Sequence, residues 1–332
     1  MESRIQRSIQ LVESKNKTSI PWPLDAPYRQ PYFKTSSDGK KTGMTPVTSA
    51  EAPAHDAGIT KLAIYSWNID FMLPHASSRM RAGIRHLEHL MGKYGSEVAN
   101  VIFLAECVDT DLELISFDPW IQSNFAITDV NNDNWANGHY GTTTLIDRRL
   151  SINDVFRVHY SKTRMQRDGL FVDIHFGPEA KLIRLCNTHL ESMAFEPAYR
   201  PPQMQLCATF MHDTGVHGSI LAGDLNAIQD FDKHLHSDND LKDAYLEQGG
   251  IEDDAQSGHT WGQQAATFLR EKFGTSRMDK VYFCGAVQLK SFERFGANVI
   301  LEDENERAEV VQLGFDQGWI TDHFGVKAVF EL

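Results

Sequence analysis

The sequence predicts an α/β protein built as a layered sandwich. Short apolar runs of strand length far outnumber stretches with helical spacing, and the last run, 324–331, is itself a strand. Many strands with few helices favour sheets packed in layers over a bundle. At 332 residues, with 41% hydrophobic and 23% charged residues, the chain can bury one large core. No repeat of solenoid period interrupts it.

The elements follow in order. Residues 1–57 read as a poorly ordered or surface-lying N-terminal tail, with Pro21, Pro23, Pro27, Pro31, Pro46 and Pro53 and no sustained period. Within it, prolines and aromatics alternate over 20–33 (IPWPLDAPYRQPYF), a segment suited to lying extended across a surface. A single domain is expected over 58–332, its first strand starting near Lys61 (KLAIYSW). Residues 77–93 predict a helix, with Ser78 as its cap and Met80, Ile84, Leu87 and Met91 on one face. VIFLAE (101–106) reads as a buried strand. Further strands are expected at 124–130, 141–147, 153–160, 169–176, 182–189, 219–223, 279–283 and 287–295. A second helix is expected from Pro201 to His212, with proline in its first turn. Long connections are left at 131–140 and 296–320.

The net charge of −13 argues against a protein that coats nucleic acid by bulk charge. Residues 1–60 hold eight basic and six acidic residues, so the remainder is more acidic still, 24 basic against 39 acidic. One stretch departs from this. Arg148, Arg149, Arg157, Lys162, Arg164 and Arg167 face a single acid, Asp154, within 148–167. Cys107, Cys186, Cys207 and Cys284 are too few and too scattered for a disulfide framework and read as buried thiols in a reducing compartment. No uninterrupted apolar run is long enough for a membrane span, and MESRIQRSIQ lacks a secretory apolar core.

Chemistry gathers where strands stop. An apolar run ends and a polar residue follows at Asn68, Glu106, His189, Asp224 with Asn226, Asp279, and Asp322 with His323. Strand ends are where rigid backbone meets solvent in α/β folds. Each residue alone is more simply a turn or cap residue. Together they form an oxygen and imidazole set without cysteine, which suits a hard divalent cation and a phosphate. The sequence has no GxSxG, no GxxxxGK[ST] and no GxGxxG.

In this order, "WNID" (67–70), "LAE" (104–106), "THLES" (188–192), "GDLN" (223–226), "RMDKVY" (277–282) and "TDHFG" (321–325) resemble the endonuclease/exonuclease/phosphatase superfamily over about 61–332. Within it the chain is most similar to the tyrosyl-DNA phosphodiesterase 2 branch. The similarity lies in His189-Leu190-Glu191-Ser192, RMQRDGLFVDI (164–174), Asp243-Ala244-Tyr245, His259-Thr260-Trp261 and Arg277-Met278-Asp279. Two positions depart from the branch: Ala105 stands where it has Gln, and Gly262 where it has Asp.

The resemblance implies a four-layered α/β sandwich, two mostly antiparallel sheets flanked by helices. It implies a Mg²⁺- or Mn²⁺-dependent phosphodiesterase cleaving a 5′-phosphotyrosyl bond on DNA, in repair, inside the cell in nucleus or cytoplasm, as a monomer off the membrane. It assigns metal binding to Glu106 with Asn68 beside it. Asp224 would activate water and Asn226 would hold water and phosphate. His189 and His323 would donate to phosphate oxygens, Asp322 would orient His323, and Asp279 would be a further orienting or metal-side carboxylate. Asp70, Ser192 and Trp261 are candidates for substrate contact. Arg164 and Arg167 are expected to bind the phosphates of a single-stranded 5′ end through the basic stretch. RNA, abasic DNA, a phospholipid or an inositol phosphate is the alternative substrate, and an inactive scaffold the remote alternative.

Overall fold

The computed structural model describes residues 10–35, 43–52, 58–177 and 179–332. Fifteen strands are named among them: β1 (Pro27–Arg29), β2 (Tyr32–Thr35), β3 (Met44–Val47), β4 (Lys61–Asn68), β5 (Val98–Val108), β6 (Phe125–Ile127), β7 (Tyr140–Asp147), β8 (Ser151–His159), β9 (Asp168–Phe176), β10 (Lys181–Thr188), β11 (Gly218–Asp224), β12 (Lys242–Asp243), β13 (Asp279–Gly285), β14 (Gln288–Phe295) and β15 (Gly325–Glu331). They form a seven-stranded sheet, β1-β8-β9-β10-β11-β13-β12, and an eight-stranded sheet, β14-β15-β4-β5-β7-β6-β2-β3. Each sheet holds one parallel pair, β10/β11 and β4/β5, and is otherwise antiparallel.

Side-chain alternation explains the layers. In β4, Leu62 and Ile64 point toward the other sheet, while Ala63, Tyr65 and Trp67 point away. The inner set meets Val172, Leu185, Ile220 and Val281 of the opposite sheet in a core between the two. The outer set packs against Met80, Ile84 and Leu87 of the helix Ala76–Met91 and Leu112 and Ile115 of the helix Asp109–Phe117. The far side of the other sheet is covered by Met204, Cys207 and Met211 of the helix Arg200–Met211. The result is the four-layered sandwich, helices–sheet–sheet–helix.

Several local expectations need correction. Ser78 does not cap the first helix. His75, in the left-handed region, precedes it, and the Ser78 hydroxyl donates instead to Glu306 at 2.9 Å. The 124–130 strand shrinks to Phe125–Ile127, because Asp118 caps a short proline-led helix, Pro119–Asn124, that uses the preceding residues. The 296–320 connection contains the helix Glu304–Gln312, capped by Asp303. All four cysteines are free, and three are buried. Among the described residues no helix is long and apolar enough to cross a membrane.

Sheet structure also begins earlier than Lys61. β1 extends the first sheet beyond β8, and the β2–β3 hairpin extends the second beyond β6. Residues 1–9, 36–42 and 53–57 of the expected tail lie outside the described residues. All three strands are short, and the two that carry proline, β1 and β3, are the outermost strands of their sheets, where a missing N–H is tolerated. Trp22 is buried and stacks on His159, with ring centroids 4.1 Å apart.

Beneath this edge lies a fully buried arginine. Arg157 donates to Asp129 and Asp168 at 2.8 Å each, to the Thr142 hydroxyl and carbonyl at 3.0 and 2.7 Å, and to Gln30 Oε1 at 2.9 Å. All five guanidinium N–H groups are thereby used. Replacing Arg157 by alanine strands two buried carboxylates, and a loss of about 3–5 kcal/mol is expected in urea titration. Burial also pushes the neighbouring His159 imidazole down to about 4, from an unfolded value near 6.5. The unfolded chain therefore binds the extra proton between these values. Its contribution to stability is complete above about pH 6.5 and declines by about 3 kcal/mol as pH falls through 4. In urea titrations from pH 7 to pH 4 the wild type should lose about 3 kcal/mol more stability than His159→Leu, which lacks the titrating group.

Candidate active site

The site is the open end of the core between the sheets. Asn68 continues the inward phase of Leu62 and Ile64, Asp224 that of Ile220 and Ala222, and Asp279 that of Val281 and Phe283. His189 follows β10 in phase with Ile183 and Leu185. Glu106 arrives differently. A β-bulge shifts the β5–β7 register between Leu104 and Cys107, and Glu106 takes φ +60°. Such a kink re-aims a side chain that simple alternation would send to the helix side.

Asp224 is the hub. Its Oδ2 accepts from Asn68 Nδ2 at 2.9 Å, across the two sheets, and its Oδ1 accepts from the Asn226 N–H at 2.9 Å. His189 Nε2 stands 3.3 Å and His323 Nε2 3.7 Å from Oδ2. Burial would raise this carboxyl, but His323 foremost, with His189 and the Asn226 amide, holds it well below the usual carboxylate range.

The two histidines are held by opposite chemistry. His323 Nδ1 donates to Asp279 Oδ2 at 2.8 Å. The same oxygen accepts the Thr260 hydroxyl at 2.7 Å. Burial would lower the His323 imidazole, but Asp279 and then Asp224 outweigh it and hold it well above its ordinary value, as a cation. His189 Nδ1 instead meets Arg167 Nη1 at 2.7 Å. A guanidinium can only donate, so Nδ1 must accept, and the proton sits on Nε2. That Nε2 is buried between Asp224 and Glu106, 3.8 Å from Glu106 Oε1, and makes no aligned hydrogen bond.

The orienting carboxylate of His323 is therefore Asp279, correcting the expectation that gave this role to Asp322. The Asp322 Oδ2 accepts the Trp261 indole N–H at 2.7 Å, and its Oδ1 lies 3.8 Å from His323 Nε2. Burial raises the Asp322 carboxyl. Trp261 is thus fixed by its N–H, half-buried, in a turn paired to Ser276. Gly262 adopts φ +103°, and a Cβ there would approach the Gly274 carbonyl to 2.6 Å, so an aspartate at this position would be strained.

Other residues fall into place around this group. Asp70, at φ +56°, accepts from the Met72 N–H at 2.8 Å, and burial with nearby Asp322 pushes it up to about 7. The Asn226 Nδ2 donates to the Leu190 carbonyl at 3.1 Å, fixing the loop that carries His189. Ser192 donates to the Met165 sulfur. The basic stretch does not survive as a strip. Arg157 is buried in its ion network, and Arg149 is bound to Asp147 and to the carbonyls of Ser96 and Val98. Arg167 is buried against His189, while Arg164 is exposed over the Phe195 ring at 4.4 Å. Alternation along β8 and the turn at 161–167 sends these cations to different places.

The donor set fits a hard divalent cation. Glu106, His189 and Asp224 each offer an atom within 4.8 Å of one another, as do Asp224, Asp279 and His323. The His189 tautomer and the His323 cation make the imidazoles donors rather than ligands, leaving the oxygens. Glu106 Oε2 is held by the Phe71 N–H at 3.0 Å, and Asn68 Oδ1 by the Asp70 N–H at 2.9 Å, side by side at the ends of paired strands. The Asp279 Oδ1 is buried without a partner.

The model of the endonuclease/exonuclease/phosphatase family matches residues 65–323, from β4 to His323. This chain belongs to that family. It is 28% identical over 250 residues to a 5′-tyrosyl-DNA phosphodiesterase of Caenorhabditis briggsae, an alignment covering 73% of this chain and 64% of that protein. The chain thus spans less than two thirds of the length of this relative. The crystal structure of TDP2 from C. elegans superposes with a TM-score of 0.59 at 22% identity, covering 82% of this chain and 75% of that one. TDP2 of D. rerio complexed with single-strand DNA product gives 0.60 at 17%, over 82% and 99%. The resemblance carried by the strand-end motifs is therefore upheld.

Two members of the site's wall escape sequence reasoning. Phe71 stacks on Tyr140 at 4.1 Å, and Tyr140 lies under Arg167 at 5.2 Å and beside His189 at 6.4 Å. Neither belongs to a motif used above, and the only signal is their position one residue beyond WNID and at the start of β7. The opposed restraints on the histidines can be measured directly. In ¹⁵N imidazole spectra His323 should remain doubly protonated through pH 7. Asp279→Asn should move its titration to lower pH by more than one unit while leaving the His189 tautomer unchanged.

Proposed function

We propose that this protein is a Mg²⁺-dependent phosphodiesterase that hydrolyses 5′-phosphotyrosyl bonds at DNA ends, acting as a monomer in DNA repair within the nucleus or cytoplasm. The observation that carries the reading is the convergence on one buried carboxylate, Asp224, of a cationic and a neutral imidazole donor. The relative named 5′-tyrosyl-DNA phosphodiesterase supports the substrate class.

Asp224 stays ionised at neutral pH and can accept a proton from an attacking water. His323, a cation oriented by Asp279, and His189, whose Nε2–H faces inward, supply two donors for phosphate oxygens as negative charge grows on them. Their orientation is fixed before substrate arrives, so little reorganisation accompanies the reaction. Glu106 and Asn68 would hold the metal, which when bound would polarise the phosphate and stabilise negative charge developing on the leaving group. The acidic body, with 39 acidic against 24 basic residues over 61–332, favours a short single-stranded end over long duplex.

A panel of 5′-tyrosyl oligonucleotide, abasic duplex and sphingomyelin tests the reading. The tyrosyl substrate should be cleaved preferentially, with loss in EDTA. Glu106→Gln should fall by about 10²-fold or more, the scale on which a single transition-state contact acts. Preferential cleavage of either other substrate, or full activity of Glu106→Gln in EDTA, overturns it.

A further inference from the structure

The N-terminal segment is fastened to the rim of the site rather than to a remote face. Lys17 Nζ donates to the carbonyls of Asn132 and Asp133 at 2.7 Å each, and its N–H donates to the Ala136 carbonyl at 3.3 Å. Lys15 Nζ lies 3.1 Å from His139 Nδ1. The approach is close enough that a Cβ on Gly138 would fall 1.9 Å from the Lys15 carbonyl oxygen, so this position admits only glycine while the segment stays seated. Further along, the Asp25 N–H bonds the His159 carbonyl and Gln30 completes the Arg157 network.

The loop so clamped leads into the site. His139 packs edge-on against Phe71 at 5.6 Å, and Tyr140 stacks on the same ring. Phe71 in turn donates its N–H to Glu106. Asn137 Oδ1 accepts the N–H groups of His139 and Tyr140, fixing the loop's last turn. Contacts therefore run without a gap from Lys15 and Lys17, through 132–140, to Phe71 and Glu106 on one side and Tyr140 beside His189 on the other.

We propose that residues 15–30 act as a positioning strap, with Lys17 as its principal residue, setting the Phe71–Tyr140 wall against which the substrate seats. The kinetic part of this inference rests on the proposed phosphodiesterase reading; the structural part does not. Removing the strap's grip loosens the 132–140 loop and Tyr140, while Phe71, whose N–H is bonded to Glu106, stays with Asp224, His189 and His323. The effect belongs on substrate binding rather than on the chemical step.

The test uses the full chain with Lys17→Ala, Gly138→Ala and the conservative Lys17→Arg. Hydrogen exchange at the His139 and Tyr140 amides, both bonded to Asn137, should accelerate about tenfold in the first two variants, with Phe71 and with Leu221 and Ala222 in β11 unchanged. KM for the 5′-tyrosyl oligonucleotide should rise about tenfold with kcat within twofold, and Lys17→Arg should restore both. Wild-type exchange at both amides overturns the strap. Accelerated exchange with unchanged KM overturns its positioning role and leaves a purely structural one. An equal fall in kcat overturns the assignment to binding. If wild type cleaves no phosphodiester, the functional reading fails, and the exchange measurements still decide the strap.

Discussion

The hydrogen bond from Asn68 to Asp224 joins the two sheets at the end where the core opens, and the rest of the site depends on it. It is possible because the same alternation that fills the interior with Leu62, Ile64, Ile220 and Ala222 delivers the next in-phase residue of each strand to the rim. The parallel pairs β4/β5 and β10/β11 both run toward this end, so their last residues share one cleft. Packing and chemistry are therefore not separate designs here. A slip of one residue in β4 or β11 would turn the polar residue away and expose an apolar face.

Around that bond the protein sets two identical side chains to different charges. A carboxylate behind His323 makes it a cation, while a guanidinium behind His189 requires a proton-free Nδ1 and leaves a neutral donor. An acidic cluster of Asp224, Asp279 and Asp322 in a buried cleft would repel phosphate on its own. The His323 cation and the buried Arg167 oppose that repulsion locally, and the net charge of −13 says little about the field a phosphate meets.

The polar cluster at the open end of the core was legible because strands end abruptly in polar residues, a pattern that survives without any knowledge of pairing. What pairs with what was not. Asp322 adjoins His323 in sequence, yet Asp279 orients the ring, since β13 and the segment before β15 meet only in the folded chain. The basic residues of 148–167 lie within twenty residues of one another in sequence, but a strand and a turn distribute them between a buried network, a carbonyl-binding surface and the cleft. The strands Pro27–Arg29, Tyr32–Thr35 and Met44–Val47 are too short to show a period, and they exist through the sheets they extend.

This division has a consequence for substrate choice. The carboxylates and imidazoles of the cluster stand on strands or within three residues of a strand end, braced by neighbours on both sheets. The groups that shape the cleft stand elsewhere: Tyr140 after the 132–139 loop, Arg164 with Phe195 and Tyr199 on two further loops, and Trp261 in a turn. A loop can change its residues without disturbing the core register, whereas a strand end cannot. Differences in substrate among proteins sharing this fold should therefore be sought in those loops. In this chain one of them, the 132–139 loop, is held by Lys17, which precedes the first long strand, so the N-terminal segment is bonded to a loop at the cleft as well as to the sheet edge it extends.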